Sequence, residues 1–329
     1  MRILFVTQIV PYPPHGGVLQ RGYNLLRELG KEHSVHLLAF HHPDELALGE
    51  PLENGLRELR KFCEEVELFA LWPKRSAVHK LAAFAAGAVF PGPFSVLAHR
   101  SGALADRIRT LCASDSPPDI VHLDTIALAP YLSLCGAVPA VLGHHNIESQ
   151  LMARRADHES GVLARWYVAR QARLLEAFER QQTGRFPLNI TVSSADAATL
   201  EKICPGAPTA VLPNGVDTDY FAPRPGTEGP ALIYTGGMNM FANRDAVEWF
   251  LQEIWPKVKR EVPGVRFYAV GSRPSKIVLD MAAAEPPVTT PVTTPLPPET
   301  PSSDGSDLVA ARREKLRKHR AELGIEPYG

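Results

Sequence analysis

Two glycine pairs and one histidine loop are the residues of this sequence whose types and setting could do chemistry. Gly16-Gly17 follows Pro11-Tyr-Pro-Pro-His15 and precedes a helical pattern, and Gly236-Gly237 follows an apolar run and again precedes one. Glycines at a strand-to-helix turn let a backbone approach a ligand closely. The helix N-terminus behind them offers free N–H groups and positive potential to an anion. Making the turn is a sufficient reason for the same glycines. Neither pair is Gly-x-Gly-x-x-Gly and no Walker lysine follows, so a dinucleotide or P-loop site is not indicated. His144-His145-Asn146-Ile147-Glu148-Ser149 closes a third apolar run. A histidine in such a loop can donate a hydrogen bond or move a proton near neutral pH. A solvated loop histidine, or a helix cap by Asn146, is the plain alternative.

The elements that must hold these residues alternate. A continuous apolar run at 2–6 reads as a strand of a parallel sheet covered on both faces, and 34–40, 66–71, 120–123, 139–143 and 188–192 read as further strands. Helical patterns fall between them. Val18, Gly22, Leu25, Leu26 and Leu29 share one face after Gly17, and further helices are expected over 76–90, 94–113 and 148–185. Ser193-Ser194 reads as a helix cap by its chemistry, a hydroxyl ahead of a helical run. The loops beyond the carboxyl ends of parallel strands are where such sheets bind ligands, and the histidine loop is one of them. A short run at 210–212 stops at Pro213, and Asn214-Gly215 supplies strong turn chemistry. A new strand at 231–235, a helix over 244–262 and a strand at 265–270 then begin a second α/β unit. Two glycine openings on one cleft would make a coherent sugar-nucleotide site.

The bulk numbers bound the class. A chain of 329 residues with 45% hydrophobic residues and net charge −1 fits about two soluble globular domains and gives no electrostatic sign of nucleic-acid binding. Cys63, Cys112, Cys135 and Cys204 are scattered without a Cys-x-x-Cys pair, which argues against zinc and a disulfide framework and for a reduced, cytosolic setting. The N-terminal apolar run is too short for a signal peptide. Residues 81–90 are about half a membrane span, and read as a buried helix or as a surface helix leaning on a membrane. The arginines from Arg154 to Arg185 interleave with Asp157, Glu159, Glu176 and Glu179. They read as a salt-bridged solvated face, with an anionic membrane or phosphorylated acceptor as the other reading. The sequon Asn189-Ile-Thr191 lies in a buried-strand context and is discounted. Residues 285–306 are rich in proline and threonine and read as an extended linker. The charged tail from Asp307 reads as a helix stopped by Gly324.

Val211-Leu-Pro-Asn-Gly-Val-Asp217 with Tyr220-Phe221, together with Gly16-Gly17, His145-Asn-Ile-Glu-Ser149, Tyr234-Thr-Gly-Gly237, Asn243 and Ala246-Val-Glu-Trp-Phe250, resembles glycosyltransferase family 4 over residues 1–272. It looks closest to bacterial sugar transferases of exopolysaccharide clusters. The resemblance implies an α/β fold of GT-B type: a complete Rossmann-like acceptor-side domain (1–213) and a partial donor-side one (214–280), then a linker (281–306) and a terminal helix (307–329). It implies transfer of a sugar from a nucleotide-diphosphate donor to a saccharide or lipid-linked acceptor, with retention, no metal and no cofactor. Helix N-termini and basic side chains would stabilise the leaving diphosphate. It implies that His145 contacts the transferred sugar, and that Gly16, Gly17, Gly236, Gly237, Asn243 and Arg244 serve the donor and its phosphates. A cytoplasmic protein, peripheral at the inner face of the membrane, fits such an acceptor.

The chain departs from the family in two ways. Arg244 is the only nearby cation after the second glycine loop, and the second domain stops before the two glutamates that hold donor hydroxyls. Glu314 and Glu322 have that spacing but lie in the charged tail. The tail, Ala310-Ala-Arg-Arg-Glu-Lys-Leu316 through Leu323-Gly-Ile-Glu-Pro-Tyr328, resembles the start of bacterial lysyl-tRNA synthetases. The alternative to an active transferase is a truncated, non-catalytic remnant that binds a sugar or acceptor. An RNA-linked role for the six Lys and Arg of 312–320 is the weakest reading.

Overall fold

The computed structural model describes the chain except residues 73–81, 83–85, 88, 160, 219–220, 222–229, 239–240, 272 and 285–329. The chain divides into two compact units at Pro225–Gly226. The sequence placed the division at 213, before the Asn-Gly turn. The turn in fact stays with the first unit, because Arg21 Nη1 donates to Asn214 Oδ1 at 2.9 Å and Arg27 Nη2 meets Asp217 Oδ2 at 3.0 Å. The expected tail helix and all of the linker from 285 onward lie outside the described residues, as does most of the helix expected over 76–90.

In the first unit, β1 (Arg2–Thr7), β2 (Ser34–His41), β3 (Glu65–Ala70), β4 (Ile120–Leu123), β5 (Ala140–His144), β6 (Leu188–Thr191) and β7 (Thr209–Val211) form one sheet. Its order is β3-β2-β1-β4-β5-β6-β7, and every pair is parallel. The continuous apolar run of β1 has a direct cause. In β1, Ile3 and Phe5 enter one core with Leu26, Leu37 and Leu59, while Leu4 and Val6 enter the opposite core with Leu104, Ile108 and Leu123. A strand buried on both faces has no polar face to show. The strand order reverses between β1 and β4, which opens a crevice at their carboxyl ends.

The helices are α1 (Gly17–Leu29), α2 (Glu50–Leu59), α3 (Phe94–Ala98), α4 (Gly102–Cys112), α5 (Glu148–His158), α6 (Val162–Gln182) and α7 (Ser194–Ile203). Three expectations change. The helix expected over 94–113 breaks at His99–Ser101, because Ser101 takes the cap of α4 and accepts from Leu104 N at 3.2 Å. The helix expected over 148–185 breaks around Glu159 and Gly161 into a hairpin. Ile126–Leu134, with no amphipathic period to reveal it, is a 3-10 helix whose apolar residues are buried almost all round. The cap at Ser193 is present: its hydroxyl accepts from Asp196 N at 3.1 Å. Asn189 is fully buried and donates from Nδ2 to Thr183 O and Pro208 O, both at 3.1 Å, so the sequon has no room for a glycan.

The second unit pairs β8 (Ala231–Thr235) with β9 (Arg266–Val270) in parallel, and packs α8 (Phe241–Trp249), α9 (Trp255–Glu261) and α10 (Lys276–Ala284) around Met238, Val247, Leu251, Trp255, Phe267 and Val278. The single helix expected over 244–262 carries a π-helical segment, Phe250–Ile254, between α8 and α9. Pro256 has no N–H to give the carbonyl four residues back, and the widened turn absorbs that defect. Helix α10 runs to Ala284, past the expected start of the linker at 281.

Candidate functional site

The crevice between β1 and β4 holds a buried charged cluster centred on Asp124, the first residue beyond β4. Its backbone N–H still donates to Val6 O at 3.0 Å, so the sheet fixes where the carboxylate starts. The side chain is 5% exposed. His145, one residue beyond β5, donates from Nε2 to Asp124 Oδ2 at 3.0 Å, and His122 on β4 donates from Nε2 to Oδ1 at 3.2 Å. The His122 ring stacks on Phe5 at 4.3 Å. Gly143 makes room for the cluster: a Cβ there would lie 3.2 Å from His122 Nε2 and 3.3 Å from Asp124 Oδ1. Gly22 does the same from α1, where a Cβ would meet Pro11 Cβ at 3.1 Å and Asp124 Oδ2 at 4.0 Å. Arg21, the neighbour of that glycine, adds its charge to the cluster.

The electrostatics follow from this geometry. Burial pushes the Asp124 carboxyl up, but the two imidazoles more than offset it and hold it at about 2. Burial pushes His145 down, and Asp124, aided by Glu148 and opposed by Arg21, carries it above its ordinary value. His145 is therefore an imidazolium over more of the neutral range than a free histidine. No partner is present for its Nδ1 among the described residues, so that N–H points its donor capacity away from Asp124. Its neighbour His144 is the opposite case. Burial pushes it down to about 4, Nε2 faces Asn189 Oδ1 at 3.3 Å, and Nδ1 is buried without a partner. Behind the dyad, Thr125 Oγ1 donates to Glu148 Oε1 at 2.6 Å, and burial raises the Glu148 carboxyl. Asn146 is exposed and supplies no cap: the residue before α5 is Ile147, with no side-chain cap bond.

The two glycine openings differ. Gly16 sits at φ +90° as the cap of α1, and neither Gly16 nor Gly17 has anything within 4 Å of an added Cβ. The N-terminus of α1 is thus bare backbone with no acidic residue in its first turn. In the second unit Gly236 is hemmed in. A Cβ there would lie 2.9 Å from Asn243 Nδ2 and 3.3 Å from the Tyr234 ring. Asn243 donates from Nδ2 to Gly237 O at 3.0 Å and accepts from Tyr234 Oη at 3.1 Å. Its side chain ties the glycine loop to α8, and both of its ends are occupied. Arg244 is exposed on the same helix.

Of the residues singled out from the sequence, His145 lies in the Asp124 cluster, Gly16 and Gly17 stand at the start of the helix that supplies Arg21, and Gly236, Gly237, Asn243 and Arg244 belong to the second unit. Sequence reasoning missed Asp124, His122, Arg21 and Asn214. The signal for Asp124 was present, a carboxylate directly after a parallel strand. Nothing local marks Arg21. A separate groove of about 340 Å³ is lined by His99, Arg100, Ser101, Ala127 and Tyr131, among others. Among the described residues one set of metal-type donors converges: His36, Glu65 and Glu67, with ligand atoms within 4.8 Å of one another. Arg107 Nε already meets Glu67 Oε1 there at 2.7 Å, and the set lies at the β2–β3 edge, apart from the crevice.

The model of the family described as Glycosyltransferase Family 4 matches residues 15–220. No curated protein sequence matches the chain. Among solved structures, similarity extends to a crystal structure of Arabidopsis thaliana UGT89C1 complexed with UDP-L-rhamnose, at 12% identity and TM-score 0.42, covering 85% of this chain and 71% of that one. A putative UDP-N-acetylglucosamine 2-epimerase from Listeria monocytogenes matches at 11% identity and TM-score 0.42, covering 86% of this chain and 65% of that one. This chain therefore spans less than two thirds of the epimerase.

Proposed function

The chain belongs to glycosyltransferase family 4, and from that premise we propose that it transfers a sugar from a nucleotide-diphosphate donor to a saccharide or lipid-linked acceptor of cell-surface polysaccharide synthesis. The observation that carries the reading is the Asp124–His145 pair at the carboxyl end of the sheet, where the strand order reverses. Asp124 holds Nε2, so the imidazole is fixed in orientation and presents Nδ1. In its protonated state it is a donor suited to a sugar hydroxyl or to negative charge that develops as the diphosphate departs. The bare N-terminus of α1 is a place where backbone N–H groups can take phosphate oxygens. Such a site needs neither metal nor cofactor. Transfer breaks the bond from the anomeric carbon to the diphosphate, forms one to the acceptor oxygen, and releases one proton. Retention of configuration fits a site whose best-placed histidine is protonated rather than basic.

The test is a thermal-shift titration with UDP, GDP, ADP and their sugar conjugates, followed by transfer assays with the nucleotide that binds. Binding at a hundredfold excess over the dissociation constant stabilises by about 2.7 kcal/mol, which is readily seen. His145→Ala is expected to lower kcat/KM about a hundredfold without unfolding the protein. Activity should fall as pH rises through the elevated pKa of His145. A rise there instead would make His145 a general base and remove the retaining mechanism. A folded protein that no nucleotide stabilises would remove the transferase reading, and leave an acceptor-binding protein.

A further inference from the structure

The break that divides α5 from α6 builds an unusual surface. The two helices run antiparallel along each other, since Glu179 near the end of α6 accepts from Ser149 N, at the start of α5, at 3.1 Å. The hairpin tip at Gly161 is therefore the far end of a rigid pair anchored at its base. Apolar side chains project from this tip: Val162 is 83% exposed, Leu163 84% and Trp166 53%. They occupy the first turns of α6, where an ordinary solvated helix would be polar. The segment beside them is tied on by Arg170, which donates to Gly87 O at 3.2 Å and Phe90 O at 2.9 Å, and its Val89 is 80% exposed.

The charge around the tip is positive and largely unspent. Between 150 and 175 there are five arginines (Arg154, Arg155, Arg165, Arg170 and Arg173) against two acids, Asp157 and Glu159. The salt-bridged face expected from the sequence holds in part: Arg155 meets Glu159 at 3.2 Å, and further along Arg180 meets Glu176 at 2.6 Å. Among the described residues, Arg154, Arg165 and Arg173 meet no carboxylate. A tip of Val, Leu and Trp with Arg154 and Arg165 near it, and Arg173 further along α6, matches the layered chemistry of an anionic bilayer surface. Apolar groups enter the acyl boundary, the indole sits at the headgroup level, and guanidinium groups meet phosphate.

We propose that the α5–α6 tip docks the protein on an anionic lipid bilayer, with Leu163, Val162 and Trp166 inserted and Arg154 and Arg165 on lipid phosphates. It deepens the functional reading above only in that a lipid-linked acceptor lies in such a bilayer. Docking itself needs no nucleotide and no turnover.

The experiment is co-sedimentation of the full chain with phosphatidylcholine vesicles, with and without phosphatidylglycerol, no nucleotide being present. Binding is expected only to the anionic vesicles and should weaken with salt. Each of Arg154→Gln and Arg165→Gln should weaken partition about fivefold, the equivalent of about 1 kcal/mol per charge. Leu163→Ser should weaken it about tenfold. These side chains are exposed, so the variants should melt with the parent. A blue shift of tryptophan emission on binding should vanish in Trp166→Phe. Equal binding to neutral vesicles, or binding that the three substitutions leave unchanged, overturns the proposal. So does a dimer in solution that Leu163→Ser dissociates, which would assign the tip to a second copy of the chain. Because vesicle binding and nucleotide binding are read separately, either reading can fail without the other.

Discussion

The chain uses the same sequence device twice, a strand followed by two glycines and a helix, and the two copies are built for different reasons. At Gly16-Gly17 the glycines border empty space, and a positive φ at Gly16 is what demands glycine. At Gly236 the demand is packing: a side chain there would run into Asn243 and Tyr234, and Gly271 lies so close that an added Cβ on it would come within 1.9 Å of Gly236 O. One opening leaves backbone free to meet a ligand. The other spends its glycine on holding a loop against β9 and α8. A glycine pair ahead of a helix is thus consistent with a phosphate cradle and with a packing joint, and only neighbours from elsewhere in the chain tell them apart.

The comparison can be broken by substitution. The largest effect is expected at the charged end of the first unit. Asp124→Ala strands buried His122 and His145 and the adjacent Arg21, and should cost about 3–5 kcal/mol in urea unfolding as well as abolishing transfer. The pH window follows from the same groups. Asp124 contributes stability that is present above the ordinary aspartate range and lost as pH falls through about 2. The stability from His145 is full below its ordinary value and lost as pH rises through its elevated one. Next is Gly271→Ala, expected to destabilise the second unit by about 3 kcal/mol, read by the emission of Trp249 and Trp255. An unchanged melting curve would mean that the second opening is as loose as the first.

Glu179→Gln tests the base of the hairpin. The Glu179 carboxyl is fully buried, and burial pushes it up to about 7 despite its bonds to Ser149. The folded chain holds that proton more tightly than the unfolded chain, so stability should decline between the ordinary glutamate range and about pH 7. Glutamine should remove that decline, a gain of about 1–3 kcal/mol at alkaline pH. The smallest stability effect is expected for Gly17→Ala, a rise of less than about 1 kcal/mol from helix propensity. Its turnover should nevertheless fall, because a methyl group would stand where a ligand approaches the backbone. Unchanged turnover would remove Gly17 from the site.

β1 was legible because burial on both faces writes itself into the sequence as a nearly unbroken apolar run, and β4 and β8 fall on the expected residues although β4 alternates in burial and β8 is largely exposed. Helix boundaries were less so. The runs over 94–113 and 148–185 keep helical composition through Ser101 and Gly161, and only the caps and the return of α6 along α5 reveal the breaks. Within the candidate site, His145 stood out as a histidine in a loop beyond a parallel strand, with a solvated loop histidine as the plain alternative. Asp124 was visible as a strand end, and Arg21 was one more charge on a helix.

By itself, then, the sequence determined the alternation of strand and helix, the renewed strand at 231–235 and the residue types that could meet a phosphate or a sugar. These depend on local propensity and on hydrophobic period, which act over a few residues at a time. Only the tertiary structure decided which of them meet. Asp124 and His145 are 21 residues apart, and Arg21 and Asn214 are 193 apart. They are brought together because a parallel sheet sends every strand end to one edge and opens a crevice where its order reverses. Burial in that crevice sets the charge that each group carries, and that charge is a property of the assembled neighbours, absent from any one stretch of the chain.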